Sequence, residues 1–264
     1  MERRAEFARA DRLTQSMQAI QLNNEARTSI QSGFAWDRQD AYLFDIDGTL
    51  LRSRDRVHLE SVARSVRKVM GIEVSLAGVA LQGNTDTSIL REACGQAGIP
   101  PGELEPQIAA ILEAMGQSVA DRRSEMQLVL MPGVKEMLVH LVQNHALLGV
   151  ATGNLEMIGW IKIEEVGLRE WFHFGGFSDR FPVRSELIGH AASKARELAG
   201  AHAGVCVVGD TPRDIEAAHR NGLPVISVAT GHFSFEQLLE HGPQVCTTSF
   251  SDLLAAGRSA KDEL

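Results

Sequence analysis

Cysteine, long apolar runs and positive charge are all scarce in this sequence of 264 residues. Its three cysteines, Cys94, Cys206 and Cys246, form no Cys-x-x-Cys pair. This spacing favours buried thiols in a reducing compartment over a disulfide framework or a zinc site. No apolar run approaches the roughly 18 residues that a membrane span needs. We therefore expect a cytoplasmic protein that does not bind membranes.

The formal net charge is −8 at neutral pH. Nucleic acid is not expected as a partner, because a phosphate backbone requires a basic surface. The hydrophobic share of 44% and the charged share of 23% are ordinary for a globular protein and argue against disorder. The sequence does not indicate an oligomeric state.

From residue 41 onward, short apolar runs alternate with helical patterns. Each run is rich in β-branched or aromatic residues, as expected of buried parallel strands. The predicted strands are Ala41–Phe44, Leu147–Ala151, Phe172–Phe177, Val205–Val208 and Val225–Val228. Helices are predicted at Ser185–Gly200, with Leu198 in its apolar stripe, and at Thr211–Gly222. This order predicts an α/β fold with a doubly wound, mostly parallel sheet.

The interval from Arg52 to Asn144 interrupts this alternation. It contains four helical patterns and no good strand; the third pattern runs from Leu104 to Met115. We predict an all-helical cap domain at residues 53–144, with hinges near Arg52–Glu60 and Leu128–Gly133. The α/β core would then comprise residues 41–52 and 145–264. Residues 1–40 are expected to form an N-terminal extension that is helical or partly disordered.

The segment Asp45-Ile46-Asp47-Gly48-Thr49-Leu50 follows the first predicted strand directly. With two carboxylates at the end of a strand, one can attack phosphorus while the other reaches the leaving oxygen. Gly48 allows an unusual turn and a close approach to a phosphate. A simple Asx turn at the strand end is the alternative interpretation.

Two further polar signals follow apolar runs, at Thr152 and Asp210. The carboxyl ends of parallel strands share one edge of a sheet, so both residues are expected near Asp45. A carboxylate such as Asp210 beside Asp45 would be costly without a cation. Thr152 and Asn154 could instead cap the next helix, and Asp214 could be a capping-box carboxylate.

These segments resemble motifs of the haloacid dehalogenase (HAD) superfamily. The DIDGTL segment is similar to its first motif, Gly149–Asn154 to its second and Val208–Asp214 to its fourth. The resemblance implies a Rossmann-like HAD core with a helical cap. It also implies a phosphoglycolate phosphatase-like enzyme that hydrolyses a small phosphomonoester, such as a sugar or nucleotide phosphate, through an aspartyl phosphate. Mg²⁺ is the implied cofactor.

The resemblance also implies a role for each matched residue. Asp45 would be the nucleophile and Asp47 the acid–base residue. The metal ligands would be Asp45, Asp210 and the main-chain carbonyl of Asp47, and Asp214 would orient Asp210 or a metal-bound water. The implied phosphate-binding residues are Gly48, Thr152, Gly153, Asn154 and Arg184. Arg52, Asn84 and Thr85 are candidate substrate contacts.

The third motif departs from the family pattern, which usually has a lysine where this chain has Arg184. An arginine can hold a phosphoryl group through two donors. Lys194, ten residues further along, is the alternative, although a solvated helix lysine is the more ordinary interpretation of it. Two rival functions stay open at this stage: a sugar phosphomutase of the β-phosphoglucomutase type, and a non-catalytic phosphate-sensing module on the same fold.

Overall fold

The computed structural model describes residues 26–262, with side chains described to residue 258. The strands of this part of the chain are β1 (Thr28–Ile30), β2 (Ala41–Phe44), β3 (Leu51–Ser53), β4 (Leu128–Leu130), β5 (Leu147–Ala151), β6 (Phe174–Gly176), β7 (Val205–Gly209), β8 (Val225–Val228) and β9 (Val245–Thr247). Seven of these described strands form one sheet in the order β1-β9-β8-β7-β2-β5-β6. All neighbours in it are parallel except β1 and β9.

The helices, in chain order, are α1 (Val57–Met70), α2 (Asp86–Gln96), α3 (Pro101–Leu104), α4 (Ile108–Asp121), α5 (Val134–Gln143), α6 (Glu156–Glu165), α7 (Arg184–Ala199), α8 (Pro212–Arg220), α9 (Phe235–Leu239) and α10 (Phe250–Asp262). Among the described residues, no helix is both long enough and apolar enough to cross a lipid bilayer.

Helices cover both faces of the sheet, which confirms the predicted α/β fold class. On one face, α7 packs Leu187, Ile188 and Ala191 against the strands. On the other face, α5 and α10 bury Met137, Leu141 and Leu253 among other side chains. Both faces of strand β2 are therefore buried, and this explains its unbroken apolar sequence.

Strand β2 lies at the centre of the site's architecture, with β5 on one side and β7 on the other. Ala41 is in register with Leu147 of β5 and with Val205 of β7. The residues that follow these three strands therefore emerge side by side at one edge of the sheet.

A helical insert, α1 to α4, separates β3 from β4 and has a core of its own. Val66, Leu90, Ile111 and Met115 are fully buried in it, and three apolar side chains of the segment leading into and through α6 complete the cluster: Leu155, Ile158 and Ile161. The insert thus packs on the start of α6 as well as on itself. It is consistent with the predicted helical cap.

The prediction that this interval contains no strand was wrong. Leu51 pairs with Leu130 and Ser53 with Leu128, so the two connections to the insert form an antiparallel pair. Each strand is only three residues long, too short for a periodic pattern. The third helical pattern does not form a single helix, so this prediction was also wrong. A 3₁₀ turn at Glu105–Gln107 divides it at Pro106, because proline has no N–H to donate.

Smaller differences lie elsewhere in the sheet and its helices. Thr28–Ile30 forms an antiparallel edge strand. This strand differs from the prediction that residues 1–40 are helical or partly disordered. Residues 1–25 of that predicted extension lie outside the described residues. Leu198 is 60% exposed and does not belong to the buried stripe of α7. Strand β6 is shorter than predicted at both ends.

Candidate active site

Asp45 is the first residue after strand β2, which lies between β5 and β7. Its main-chain N–H donates to the carbonyl of Val208 at 2.9 Å, which ties it to the end of β7. Its carboxylate is buried, and its Oδ2 lies 3.1 Å from Nη2 of Arg184. The predicted nucleophile is therefore held at the sheet edge beside a buried cation.

Three carboxylates meet at this edge. Asp45, Asp210 and Asp214, here called the acidic cluster, each offer an oxygen within 4.8 Å of the other two, and all three are buried. Thr49 Oγ1 donates to Asp210 at 3.1 Å. A Cβ atom at Gly48, where φ is +86°, or at Gly231 would overlap the Asp210 carboxylate, so both glycines are required for its position.

Asp214 differs from the other two because protein donors already occupy both of its oxygens. Its Oδ1 accepts from Nε and Nη2 of Arg184, at 2.8 and 2.5 Å. Its Oδ2 accepts from the amide and the hydroxyl of Thr211, at 3.0 and 2.7 Å, within a capping box at the start of α8. The capping interpretation is therefore confirmed, and the same carboxylate also holds Arg184.

The electrostatics of the cluster follow from burial and charge. The pKa of Asp45 is raised to about 6, mainly by desolvation and also by the charges of Asp214 and Asp47, against the opposing charge of Arg184. Desolvation and the charges of Asp45 and Asp214 also raise the pKa of Asp210. Burial alone would lower the pKa of Arg184, but Asp214 and Asp45 raise it, so the guanidinium stays charged.

This donor set fits a hard divalent cation. Buried carboxylates in excess of their one buried arginine need further positive charge. Carboxylate and carbonyl oxygens are the ligands that Mg²⁺, Ca²⁺ and Mn²⁺ prefer. The cluster is thus a candidate metal site, in which Asp45 shares Nη2 of Arg184 with Asp214, and Asp210 accepts from the Thr49 hydroxyl.

Asp47 faces the cavity rather than the acidic cluster. Its side chain is 42% exposed, and its Oδ2 accepts from Nζ of Lys162 at 2.6 Å and from Nδ2 of Asn154 at 2.8 Å. Desolvation opposes ionisation, but the charge of Lys162, the proximity of His58 and these hydrogen bonds lower the pKa of Asp47. It is therefore a carboxylate before substrate binds.

Lys162 and His58 were missed by the sequence analysis. Lys162 also donates to Asn154 Oδ1 at 2.8 Å and contacts His58 Nδ1 at 3.0 Å, while His58 Nε2 lies 3.0 Å from Asp86 Oδ2. The only signal for Lys162 was its place in helix α6, four residues after Ile158 and on the same apolar face. Nothing in the sequence indicated its partners.

The loop after β5 supplies the second group of predicted residues. Thr152 is buried and lines the cavity, and its Oγ1 accepts from Asn154 Nδ2 at 2.7 Å. The Gly153 carbonyl accepts from the amide of Asp86 at 2.7 Å, and a Cβ atom at Gly153 would overlap Asn84. The insert therefore touches this loop. Asn154, predicted to bind phosphate, instead directs its side chain to Thr152, Asp47 and Lys162.

The remaining predicted residues divide between the cavity and other tasks. Arg52 is exposed, lines the cavity and donates to the Thr230 carbonyl at 2.7 Å. Asn84 lines the cavity and contacts Arg213. Thr85 caps α2 and donates to the Pro182 carbonyl at 2.7 Å, so its hydroxyl is engaged away from the cavity lining. Lys194 is exposed on α7 and is not among the cavity residues.

A cavity of about 510 Å³ lies between the sheet edge and the insert. The core contributes the acidic residues Asp45, Asp47 and Asp210 to its lining, and the insert contributes Gln82 and Asn84. A cavity of this size accommodates a small metabolite. The site is therefore a concave pocket with paired carboxylates, two buried cations and a candidate metal site at its base.

Comparison with known proteins places this arrangement in a family. Residues 42–228 match the family described as haloacid dehalogenase-like hydrolases, which is more than half of the chain. The chain belongs to that family. The match begins in β2 and ends with β8, so it includes the acidic cluster, Asp47 and the insert.

Individual relatives agree with this assignment. The chain is 28% identical over 217 residues to a phosphoglycolate phosphatase of Synechococcus elongatus, covering 82% of this chain and 96% of the relative. A predicted phosphoglycolate phosphatase from Haemophilus somnus has a similar structure, with a TM-score of 0.60, 20% identity and coverage of 83% and 98%. A candidate β-phosphoglucomutase from Bacteroides vulgatus reaches a TM-score of 0.59 at 20% identity, with coverage of 87% and 92%. At these identities the two structures support the fold.

Proposed function

We propose that this hydrolase cleaves small phosphomonoesters in a Mg²⁺-dependent reaction that forms an aspartyl phosphate on Asp45. The observation that carries the proposal is the position of Asp45 between Arg184 and Asp210 at the base of the cavity, with Asp47 at the wall. A nucleophile, an acid–base group and phosphate-binding donors thereby surround one space. The named Synechococcus phosphatase supports a phosphoglycolate-like substrate.

The residues would divide the reaction as follows. An oxygen of Asp45 attacks phosphorus in line, and the bond to the leaving oxygen breaks. Asp47, which takes up a proton from solvent as the substrate complex forms, gives this proton to that oxygen. It then removes a proton from the water that attacks the aspartyl phosphate, which releases inorganic phosphate and regenerates Asp45. Thr152, the Gly153 amide and Arg184 hold the phosphoryl oxygens.

Mg²⁺ would be held by Asp45, Asp210 and the main-chain carbonyl of Asp47. It would supply the positive charge that a phosphate dianion needs beside these carboxylates. Asp214 would keep Arg184 in place, through the two hydrogen bonds that join them.

The proposal is tested by phosphate release from 4-nitrophenyl phosphate and from a panel of small phosphomonoesters that includes phosphoglycolate. Wild type and Asp45→Asn are assayed with Mg²⁺ and with EDTA. We expect turnover that needs both Mg²⁺ and Asp45, with a loss on the order of 10⁴-fold or more in the variant. Folded wild-type protein without turnover across the panel would contradict it. Turnover of glucose 1-phosphate that requires a glucose bisphosphate would favour a mutase instead.

A further inference from the structure

Lys162 is an unusual lysine for its place in the fold. Its side chain is 2% exposed, in the middle of helix α6, between the sheet edge and the insert. The neighbouring apolar residues Ile158 and Ile161 belong to the core of the insert. Burying an ammonium group costs several kcal/mol unless its charge and its donors are matched. An apolar side chain at this position would avoid that cost.

The three N–H groups of Lys162 meet three acceptors. These are Asp47 Oδ2 at 2.6 Å, Asn154 Oδ1 at 2.8 Å and His58 Nδ1 at 3.0 Å. A lysine ammonium has three donors and no acceptor, so its donor capacity is filled by protein atoms. A substrate oxygen would have to displace one of them. Lys162 is therefore arranged to hold neighbouring side chains rather than to bind substrate.

The contact between Lys162 and His58 also fixes which ring nitrogen of His58 carries the proton. Because Lys162 can only donate, Nδ1 of His58 accepts and the ring proton lies on Nε2. That Nε2 proton faces Asp86 Oδ2 at 3.0 Å, and the same oxygen accepts from the Leu155 amide at 2.8 Å. A continuous series of polar side chains, here called the polar chain, thus runs through Asp47, Lys162, His58 and Asp86. Asp47 itself lies in a core loop, and Asp86 at the other end accepts from the Leu155 amide of a second core loop.

This polar chain passes from the core into the insert and back. Asp47 and Lys162 belong to the core, whereas His58 lies in α1 and Asp86 begins α2 of the insert. A displacement of the insert would remove the third acceptor of Lys162. Asp47 is the one member with a largely accessible side chain, 42% exposed against 2% for Lys162. The polar chain therefore ends at Asp47, the carboxylate that faces the reacting atoms in the proposed reaction.

We propose that Lys162 is a positioning residue for Asp47, and that His58 and Asp86 make this positioning depend on the docked insert. The inference rests on the proposed function, in which Asp47 protonates the leaving oxygen. Lys162 fixes the carboxyl of Asp47 so that its second oxygen points to that atom. The docked insert completes the arrangement through His58.

The test compares two esters that differ in their need for leaving-group protonation. 4-Nitrophenolate leaves without help from an acid, whereas an alkyl alkoxide does not. Values of kcat/KM, which report the step up to release of the leaving group, are measured for both esters with wild type, Lys162→Met and the exposed-lysine control Lys194→Met. Competitive inhibition by inorganic phosphate checks that the phosphate pocket is intact.

We expect Lys162→Met to lower kcat/KM for the alkyl ester by about 10²-fold, the scale of a misplaced general acid, and for the aryl ester by less than about 5-fold. Lys194→Met should match wild type with both esters. Inhibition by phosphate should be unchanged in all three proteins. Equal losses for both esters, or no loss, would overturn the proposal and leave Lys162 as a structural counterion.

His58→Phe keeps a planar aromatic ring but removes both nitrogens, and it tests the same polar chain if Lys162→Met does not fold. It should lower the alkyl-ester rate selectively, by about 10-fold, and add little to Lys162→Met in the double variant. Equal losses for the two esters, or independent effects in the double variant, would contradict the proposal that the positioning of Asp47 depends on the docked insert. Wild type without turnover would contradict the proposed function and this inference together. Asp45-dependent turnover with unselective Lys162→Met losses would contradict the inference alone.

Discussion

The two ends of the active site are built in different ways. The acidic cluster and Arg184 come from loops at adjacent strand ends and from the first turns of α7 and α8, all within the core, and they are buried. The polar chain from Asp47 to Asp86 instead joins core and insert side chains and opens onto the cavity. In the proposed reaction, the sheet thus fixes the end of the site that holds the phosphoryl group, whereas the end that faces the leaving group is complete only with the insert docked.

This comparison suggests a division of tasks. The phosphoryl group is common to every substrate of a phosphomonoesterase, so a rigid site built on a sheet edge suits it. The leaving group differs between substrates, and the part of the cavity that would receive it is lined by the core and the insert together. Substitutions at the acidic cluster and Arg184, here called the rigid end, should therefore lower both the free energy of unfolding and the activity. Substitutions at the connections between core and insert should lower them less.

The largest expected effect is at Arg184. Arg184→Met leaves Asp45 and Asp214 buried without their cation, which should lower the free energy of unfolding by about 3–5 kcal/mol. Arg184→Lys keeps the charge but loses the paired donors to Asp214, so its loss should be smaller. Urea unfolding in EDTA measures both. A Met variant as stable as wild type would contradict the view that this end is a preorganised ionic site.

The same contrast explains what could be predicted from the sequence. Asp45, Thr152 and Asp210 each follow an apolar run, and neighbouring parallel strands must bring such residues together. Their convergence therefore depends on local patterns and one topological rule. Arg184 was implied by the family resemblance, as the residue at the position of the third-motif lysine, and it lies against Asp45.

The leaving-group end could not be predicted in this way. Lys162 and His58 lie on different helices 104 positions apart in the chain, and their contact depends on how the insert packs on α6. Helical periodicity identifies a buried face but not the partner that covers it. The paired strands β3 and β4 were missed for a related reason, because their stability comes from pairing rather than from a pattern in either one.

A second prediction tests how strictly the rigid end is positioned. A Cβ atom at Gly231 would overlap the Asp210 carboxylate, so Gly231→Ala should displace that side chain. We expect kcat to fall by about 10²-fold, as for other displacements near 1 Å. Gly95→Ala is the control, because the space beside that helical glycine is open and activity should not change. Full activity in Gly231→Ala would mean that Asp210 tolerates movement and that the site is less rigid than we infer.

The smallest expected effect is at the joint between the two parts. Asp55 accepts from the Gln127 amide at 2.6 Å, the Val57 amide at 2.9 Å and the Ser53 hydroxyl at 3.0 Å, so it binds both connections to the insert. In Asp55→Asn, an amide NH₂ group would have to face at least one of these donors. We expect a loss of about 1 kcal/mol in unfolding free energy at neutral pH, and little change in activity.

The pH dependence of that loss identifies its cause. Desolvation would raise the pKa of Asp55, but the Gln127 and Val57 amides and the Ser53 hydroxyl lower it. A carboxyl whose pKa is lower in the folded state stabilises the fold above its unfolded pKa, and this contribution disappears as the pH falls through the folded value. The difference between wild type and Asp55→Asn should therefore be constant near pH 7 and shrink below about pH 4. A difference that persists unchanged to pH 2.5 would show that packing of the joint, rather than the charge of Asp55, holds the two connections together.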